Sequence, residues 1–403
     1  MKKKIVNDPV YGFVSIPYGI LFDLIEHPWF QRLRRIKQLS LSHYVYPGAL
    51  HTRFHHAIGA LHLMQKTIEE LRRKDVPISD EEAEAVSIAI LLHDIGHGPF
   101  SHTLEHCLME VTHEEISVLF MEELNKEFGG KLDLAIRIFQ NKYPKKFLSQ
   151  LISGQLDMDR MDYLNRDSYF TGVHEGVISY DRIINMLNVV DNELVVEEKG
   201  IYSIEKFLIA RRLMYWQVYL HKTVLSAEIM LTKILERAKH LVQSGVEVPS
   251  TPFLSYFLNN KIDHTRLRAN PRDLLNRFSQ LDDTDFAVAL KTWRNHDDPI
   301  LAGLCQGIIN RRLFRLEFQP RPFDKDYIRS IKEEILQREN ISKKEVRYFF
   351  EKGKESNSAY TTSKEEIKIL LKSGAVQPMS KVSNHGIKGR QFAKYYLWYP
   401  KES

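Results

Sequence analysis

The sequence predicts a mainly α-helical bundle with short β-hairpins and a small α+β unit at its C-terminal end. Up to about residue 320, most segments have apolar residues at helical spacing, with Pro and Gly at their ends. Residues 4–16 alternate apolar and turn residues, which predicts a short hairpin. After residues 319–322, Gln-Pro-Arg-Pro, one helix is followed by strand-like segments and polar loops, the pattern of a small α+β unit. The predicted division is a core over 1–245, a helical extension over 246–322 and the α+β unit over 323–403.

Composition limits the function classes. The chain has 403 residues, of which 43% are hydrophobic and 27% are charged, as in ordinary globular proteins. A net charge of +5 suits an anionic ligand but is small for a nucleic-acid-binding protein, so nucleic acid is a secondary candidate partner. Two cysteines, Cys107 and Cys305, argue against a disulfide framework or a Cys-based zinc site. The sequence shows neither a signal segment nor a membrane span, so we expect a cytoplasmic protein.

A buried helix is predicted to end in two polar residues. Ser79 and Glu82 form a capping-box pattern, and the ten residues 83–92 are apolar nearly all round. His93 and Asp94 follow at once, and burying them costs free energy unless they are paired or bind a cation. Gly96 is expected to stop the helix, which places this dipeptide in its last turn. The partial negative charge of the last carbonyl groups favours a metal ion there.

The histidines of the chain are concentrated near this dipeptide. Residues 91–106 contain four histidines, and eleven of the seventeen histidines lie in residues 1–113. A His-Asp dipeptide alone is weak evidence, because His296-Asp297 repeats it in a polar segment that we interpret as a loop. The alternative is a cluster of hydrogen-bonded core histidines, but the concentration favours a metal site.

Two further segments supply candidate ligands. His56 lies on an apolar stripe of its predicted helix, and Asp159 lies in an acidic segment rich in Met, Leu and Tyr. For any single aspartate of that segment, a salt bridge on the helix surface remains the alternative. Together, His56, His93, Asp94 and Asp159 form a two-His, two-carboxylate set that suits Mn, Fe, Ni, Co or Zn. An ion with open positions polarises phosphoryl oxygens, so the set indicates metal-assisted hydrolysis of a phosphate ester or anhydride.

Residues 203–241 contain no Gly or Pro and predict one long helix. Arg211, Tyr215, Tyr219 and Lys222 fall on one stripe of that helix, which suits a polyphosphate. Solvent-facing side chains with partly buried stems are an equally good explanation. Just before this helix, a hairpin is expected around Lys199-Gly200.

The motifs resemble a known family. The H…HD…D pattern with HDIGHGPFSH is similar to the HD superfamily of metal-dependent phosphohydrolases. The motifs that narrow the resemblance to its deoxynucleoside triphosphate (dNTP) triphosphohydrolase branch are NDPVYG, FQRLRRIKQL, YPGALHTRFHHAIG, LDMDRMDYLNRD and YLHK. The resemblance covers about residues 4–240 and implies hydrolysis of a dNTP to a deoxynucleoside and inorganic triphosphate.

The resemblance also implies residue roles. His56, His93, Asp94 and Asp159 would hold the metal, with Mg²⁺ as a further ion on the triphosphate. His102, and with it His97 and His113, match the family's catalytic histidines, and His102 would protonate the leaving 5′ oxygen. Glu105 stands where the vertebrate enzyme has an Asp, and it should still orient His102. The residues matching phosphate contacts are Arg53, Arg211 and Lys222. Those around the sugar are Gln38, Leu39, Tyr163, Asp167 and Tyr219, where a tyrosine could crowd a 2′ hydroxyl.

The family resemblance implies a homodimer or homotetramer with an allosteric nucleotide site. Gln31 and Arg34 match that site, but Glu26 replaces an Asp used to read guanine, so an intersubunit ion pair is an equal role for Arg34. Two other functions remain open: hydrolysis of a different nucleotide, such as a monophosphate or a cyclic dinucleotide, and a nucleotide-binding regulator.

Overall fold

The computed structural model describes residues 3–100, 102–357, 366–383 and 392–401, and it confirms a mainly α fold. The helices are Ile20–Glu26 (α1), Pro28–Gln31 (α2), Arg53–Arg73 (α3), Asp80–Leu92 (α4), His102–Leu108 (α5), His113–Glu127 (α6), Asp133–Phe139 (α7), Lys146–Gln150 (α8), Met158–Thr171 (α9), Tyr180–Met186 (α10), Ile201–Met214 (α11), Lys222–Gln243 (α12), Pro252–Asn259 (α13), His264–Ala269 (α14), Pro271–Ser279 (α15), Asp283–Trp293 (α16), Pro299–Ile309 (α17), Lys325–Glu339 (α18) and Met379–Val382 (α19). The strands are Lys3–Asp8 (β1), Gly12–Pro17 (β2), Leu187–Val190 (β3), Glu193–Glu197 (β4), Arg315–Gln319 (β5), Glu351–Asn357 (β6), Lys368–Leu370 (β7), Val376–Pro378 (β8) and Phe392–Tyr399 (β9).

Helices α3, α4 and α9 form the centre of the molecule, because α3 packs against both of the others. The predicted capping box of α4 is present: the Ser79 hydroxyl accepts a hydrogen bond from the Glu82 amide, and the Glu82 carboxylate accepts one from the Ser79 amide. Every residue from Ala85 to Leu92 is buried, as the apolar pattern predicted. These three helices carry the candidate metal ligands into the core.

The long helix predicted over 203–241 is interrupted. Helix α11 ends at Met214, the five residues Tyr215–Tyr219 form a π-helical turn, and α12 starts again at Lys222. The His221 side chain accepts a hydrogen bond from the Thr223 amide and so caps α12. A wider π turn breaks the regular spacing of side chains, and such turns occur often at functional sites. Lys222 lies beyond this turn and therefore does not continue the stripe of Arg211, Tyr215 and Tyr219 that a regular helix predicted.

The predicted N-terminal hairpin is present as β1 and β2, but the second hairpin turns at a different place. Strands β3 and β4 are joined by Asp191 and Asn192, both with positive φ, whereas Lys199 and Gly200 lie in a 3₁₀ turn. Asx residues tolerate this left-handed backbone, which explains the position of the turn. Strand β4 then pairs in parallel with β7, giving a sheet of order β3-β4-β7-β8.

The C-terminal residues pack on α12. Strands β5, β9 and β6 form an antiparallel sheet, and the Trp398 indole N–H donates to the Ser226 hydroxyl at 3.0 Å. Lys233 pairs with Glu351 at 2.7 Å, and Arg237 pairs with Asp298. The boundaries proposed at 245 and 322 stay a prediction, with the observation that both sheets join strands from the two sides of residue 322. No helix among the described residues combines the length and apolarity that crossing a membrane requires.

Candidate active site

Three helices bring the predicted ligands together. His56 comes from α3, His93 follows α4, and Asp159 lies in the first turn of α9. One ligand atom from each lies within 4.8 Å of the other two. His56 Nε2 is 3.3 Å from His93 Nε2 and 3.2 Å from Asp159 Oδ1, and His93 Nε2 is 3.6 Å from Asp159 Oδ1. Residues far apart in sequence therefore converge on one point.

These separations fit a shared cation. Ligand atoms about 2.1 Å from one ion lie about 3.0 Å apart in an octahedral site and about 3.4 Å apart in a tetrahedral one. The other ring nitrogens are already occupied: Nδ1–H of His93 donates to the Ile90 carbonyl at 2.6 Å, and Nδ1–H of His56 donates to Asp162 at 2.7 Å. Both Nε2 atoms are thus left as electron-pair donors, the arrangement that metal-ligating histidines adopt.

Asp162 orients His56 and belongs to a buried ion-pair chain. Its carboxylate accepts two hydrogen bonds at 2.9 Å from Arg166, which also binds Asp8 at 2.8 Å. A Cβ on Gly59 would lie 2.0 Å from Asp162 Oδ1, so only glycine lets α9 approach α3 this closely. Sequence reasoning missed this role of Asp162; its spacing of one turn from the candidate ligand Asp159 was the available signal.

Asp94 borders the cluster and pairs with Arg53. Its Oδ1 is 3.3 Å from His93 Nε2, and its Oδ2 is 3.8 Å from His56 Nε2. Arg53, predicted to contact phosphate, forms an ion pair with Oδ2. Burial lowers the pKa of His56, but the carboxylates of Asp159 and Asp162 outweigh burial and raise that pKa to about 10. The cluster therefore favours positive charge at its centre, as a cation site should.

A histidine pair lies beside Asp94. The rings of His97 and His113 stack with centroids 3.8 Å apart, and His97 Nε2 is 3.3 Å from Asp94 Oδ1. Burial and the nearby Arg53 guanidinium hold the pKa of His97 well below its usual range, so His97 is neutral. The Glu105 carboxylate accepts a hydrogen bond from His113 Nδ1–H at 2.8 Å.

The predicted partner of Glu105 was His102, whose backbone starts α5 but whose side chain lies outside the described part of the structure. Its proton-donor role stays a prediction. Gly96 matters for a different reason from the predicted one, because a Cβ there would lie 2.2 Å from the His113 carbonyl oxygen. The glycine lets α6 approach and so places His113 against His97.

A cavity of about 570 Å³ extends from these groups toward the π turn. The predicted site residues that line it are Gln38, Leu39, Arg53, Asp94, His97, His113, Asp159, Tyr163, Asp167 and Tyr219. The Gln38 side-chain carbonyl oxygen is buried without a hydrogen-bond partner among the described residues, so it can accept one from a ligand. Lining residues that sequence reasoning did not assign to the site include Phe100, Leu220 and Glu355.

Asp167 is fixed from two sides. The Tyr219 hydroxyl donates to Asp167 Oδ2 at 2.7 Å, and His51 Nε2 lies 2.7 Å from Oδ1. His51 is buried and stacks on Phe170 with centroids 4.5 Å apart. Sequence reasoning did not assign His51, because nothing in its local pattern indicates a partner 116 residues away.

Four predicted residues lie elsewhere. Arg211 is buried near Tyr163, with its Nε lacking a partner among the described residues, but it does not line the cavity. Lys222 is exposed at the start of α12 and also lies off the cavity. Arg34 donates to the Gln31 side chain at 2.8 Å and stacks on the Phe54 ring, so the allosteric role of this pair stays a prediction.

A second cavity, of about 580 Å³, reaches the same cluster from another direction. It is lined by His93, Asp94 and Asp159, together with Lys142 and Lys146. The candidate ligands therefore form the wall between two openings, and both give a small molecule access to the cation position.

Comparison with known proteins agrees with this geometry. The HD domain model matches residues 53–167, and the HD associated region model matches residues 178–248. YwfO of Bacillus subtilis is 32% identical over 419 residues, covering 100% of this chain and 93% of YwfO. Human deoxynucleoside triphosphate triphosphohydrolase SAMHD1 is 29% identical over 316 residues, covering 66% of this chain and 50% of that protein.

A crystal structure of a phosphohydrolase from Bacteroides thetaiotaomicron superposes with a TM-score of 0.95 and 51% identity, covering 99% of this chain and 100% of that one. The match extends beyond the HD segment to the C-terminal sheets. The chain therefore belongs to the HD-domain family of phosphohydrolases.

Proposed function

We propose that the protein hydrolyses deoxynucleoside triphosphates to a deoxynucleoside and inorganic triphosphate. The observation that carries this proposal is the cavity of about 570 Å³, which joins the candidate ligands Asp94 and Asp159 to the Tyr163, Asp167 and Tyr219 side chains. A nucleotide bound along it has phosphate at the cation end and sugar at the tyrosine end. The dNTP triphosphohydrolase name of the human and other SAMHD1 relatives supports this substrate class.

In this proposal His56, His93, Asp94 and Asp159 hold a divalent ion, of which Mn, Fe, Ni, Co and Zn suit the donor set. Such an ion polarises a phosphoryl oxygen and lowers the pKa of water. Arg53 lies beside Asp94, where its guanidinium can bind a phosphate group through two parallel N–H···O hydrogen bonds. Mg²⁺ on the triphosphate remains part of the proposal.

Proton transfer to the leaving 5′ oxygen is assigned to His102, with His97 and His113 as further catalytic histidines. Glu105 accepts the Nδ1–H of His113 and so fixes that ring, whose Nε2 lies 3.4 Å from the Glu114 carboxylate. Both His113 and His97 line the cavity. A positioned histidine speeds such steps by about 10²- to 10⁴-fold.

Sugar selection is assigned to Asp167 and Tyr219. Asp167 can accept a hydrogen bond from the 3′ hydroxyl, because its carboxylate lines the cavity. The hydrogen bond from Tyr219 to Asp167 fixes the tyrosine ring beside the sugar. A fixed ring at that place leaves little room for a 2′ hydroxyl, which favours the deoxy sugar.

The test is incubation of the purified protein with each dNTP and Mn²⁺ or Mg²⁺, followed by ion-exchange chromatography of the products. We expect equal amounts of deoxynucleoside and inorganic triphosphate. His56→Ala should abolish the reaction, whereas His62→Ala, a partly buried histidine of the same helix away from the cluster, should keep it. Cleavage of a monophosphate or cyclic dinucleotide with no turnover of any dNTP would contradict the proposal. Sedimentation of the same sample tests the proposed homodimer or homotetramer, and added dGTP tests the regulatory site at Gln31 and Arg34.

A further inference from the structure

Among the described residues, one residue of the C-terminal sheet lines the substrate cavity. Glu355, on strand β6, lines the cavity together with residues of the HD core. The strand lies outside both family-model matches, the second of which ends at residue 248. The side chain thus reaches the site from a part of the chain to which no role in the reaction has been given.

Strand pairing shows from which side Glu355 enters. Glu355 pairs with Lys394 of β9, so the two side chains project on the same face of the sheet. The Lys394 ammonium lies 4.0 Å from the centroid of the Trp216 ring in the π turn. This end of β6 therefore lies against the turn that carries Tyr219, and Glu355 lines the cavity near that turn.

The carboxylate of Glu355 is free to bind a ligand. It has no hydrogen-bond or ion-pair partner among the residues that the structure describes, and Lys394 is engaged with Trp216 instead. Burial raises the pKa of Glu355 above its ordinary value. A half-buried carboxylate without a donor gains more from a new hydrogen bond than an exposed one does.

We propose that Glu355 selects the base of the nucleotide by accepting hydrogen bonds from its N–H groups. The proposal rests on the proposed function, because it needs the sugar at Asp167 and the phosphates at the cation. A carboxylate matches guanine best, since N1–H and the 2-amino group donate side by side to its two oxygens. Adenine and cytosine offer one amino group, and thymine offers one N–H flanked by carbonyl oxygens that repel a carboxylate. The expected order is therefore dGTP first and dTTP last.

The experiment measures kcat/KM with Mn²⁺ for dGTP, dITP and dTTP. A bidentate contact discriminates by roughly 1–3 kcal/mol, so wild type should favour dGTP over dTTP by about 5- to 150-fold. dITP lacks only the 2-amino group and should fall between them. Glu355→Gln should reduce the dGTP/dTTP ratio to about threefold or less, while turnover of dTTP is kept, because glutamine can also donate to a thymine carbonyl.

Glu351→Gln is the matched control, since Glu351 lies on the same strand but pairs with Lys233 away from the cavity. Its dGTP/dTTP ratio should equal that of wild type. If Glu355→Gln does not fold, Glu355→Asp withdraws the carboxylate by one methylene and should lower the ratio about fivefold. A wild-type ratio near one, or an unchanged ratio in the Glu355 variants, overturns the inference but leaves the proposed function standing. Absence of triphosphate release from every dNTP overturns both.

Discussion

Replacing Asp162 by Asn should weaken metal binding although it removes no ligand. The Asp162 carboxylate accepts the Nδ1–H of His56 at 2.7 Å and thereby directs Nε2 toward the cation position. Asparagine keeps the shape of the side chain but loses its charge. The ring of His56 is then held less firmly and is a weaker electron-pair donor.

The magnitude follows from this contact. Loss of such an outer partner usually weakens metal affinity by about 10- to 100-fold, which is about 1.4–2.7 kcal/mol. At a metal concentration 100 times the wild-type Kd, binding stabilises the wild type by about 2.7 kcal/mol. The same concentration should stabilise Asp162→Asn by only about 0.4–1.4 kcal/mol. Removing the metal with EDTA should therefore lower the Tm of wild type clearly more than that of the variant.

Asp8→Asn separates this effect from loss of the ion-pair chain. Asp8 binds the same guanidinium of Arg166 at 2.8 Å but does not contact His56. Either substitution removes a charge-assisted hydrogen bond, and each should lower the free energy of unfolding by about 1.5–3 kcal/mol. Only Asp162→Asn should change the Kd for Mn²⁺ measured by calorimetry. Equal Kd values for wild type and Asp162→Asn would refute the orienting role.

Three further outcomes follow from single contacts. Gly96→Ala should lower both Tm and kcat, since its Cβ would overlap the His113 carbonyl; an unchanged melting curve would contradict the close approach. Tyr219→Ala should let ribonucleotides be cleaved at rates within about tenfold of those of deoxynucleotides. The control Tyr202→Ala, at an exposed tyrosine, should keep the preference for deoxynucleotides. If Tyr219→Ala also keeps that preference, the Tyr219 ring does not select the sugar. Burial raises the pKa of Asp298, but the ion pair with Arg237 outweighs burial and lowers that pKa below its ordinary value. The ionised carboxylate therefore contributes to the free energy of unfolding above the ordinary pKa of an aspartate, and this contribution is lost as the pH falls through the lowered pKa. Denaturant unfolding of Asp298→Asn should show a shallower loss of stability below about pH 4, and an unchanged slope would contradict this assignment.

Several parts of the fold could be predicted because their cause is local. The capping box of α4 joins Ser79 to Glu82 three residues later, and the apolar run behind it requires burial whatever surrounds it. The interruption at Tyr215–Tyr219 could not be predicted in this way. No Gly or Pro marks it, so helical spacing continues through the sequence while the backbone changes to a π turn.

The candidate site likewise has parts with a local cause, which could be predicted, and parts without one. His93 and Asp94 could be predicted as site residues from the local sequence, since a buried helix does not end in two polar groups without a partner. Their relation to Asp162, His51 and Glu355 depends on contacts that span up to hundreds of residues, which periodicity does not record. Glu105 shows the intermediate case: its proximity to the histidines was predicted and its contact with His113 was not, while its predicted contact with His102 involves a side chain outside the described part of the structure.

The sequence alone determined the helical character, the buried α4 and the polar pair at its end, because hydrophobic spacing and capping act over one or two turns. Tertiary structure decided that Asp162 holds the Nδ1–H of His56, so that Nε2 is left for a cation, and that strand β6 contributes to the cavity wall. Those decisions depend on the angles at which helices and sheets pack, and these are set by the whole core rather than by any segment.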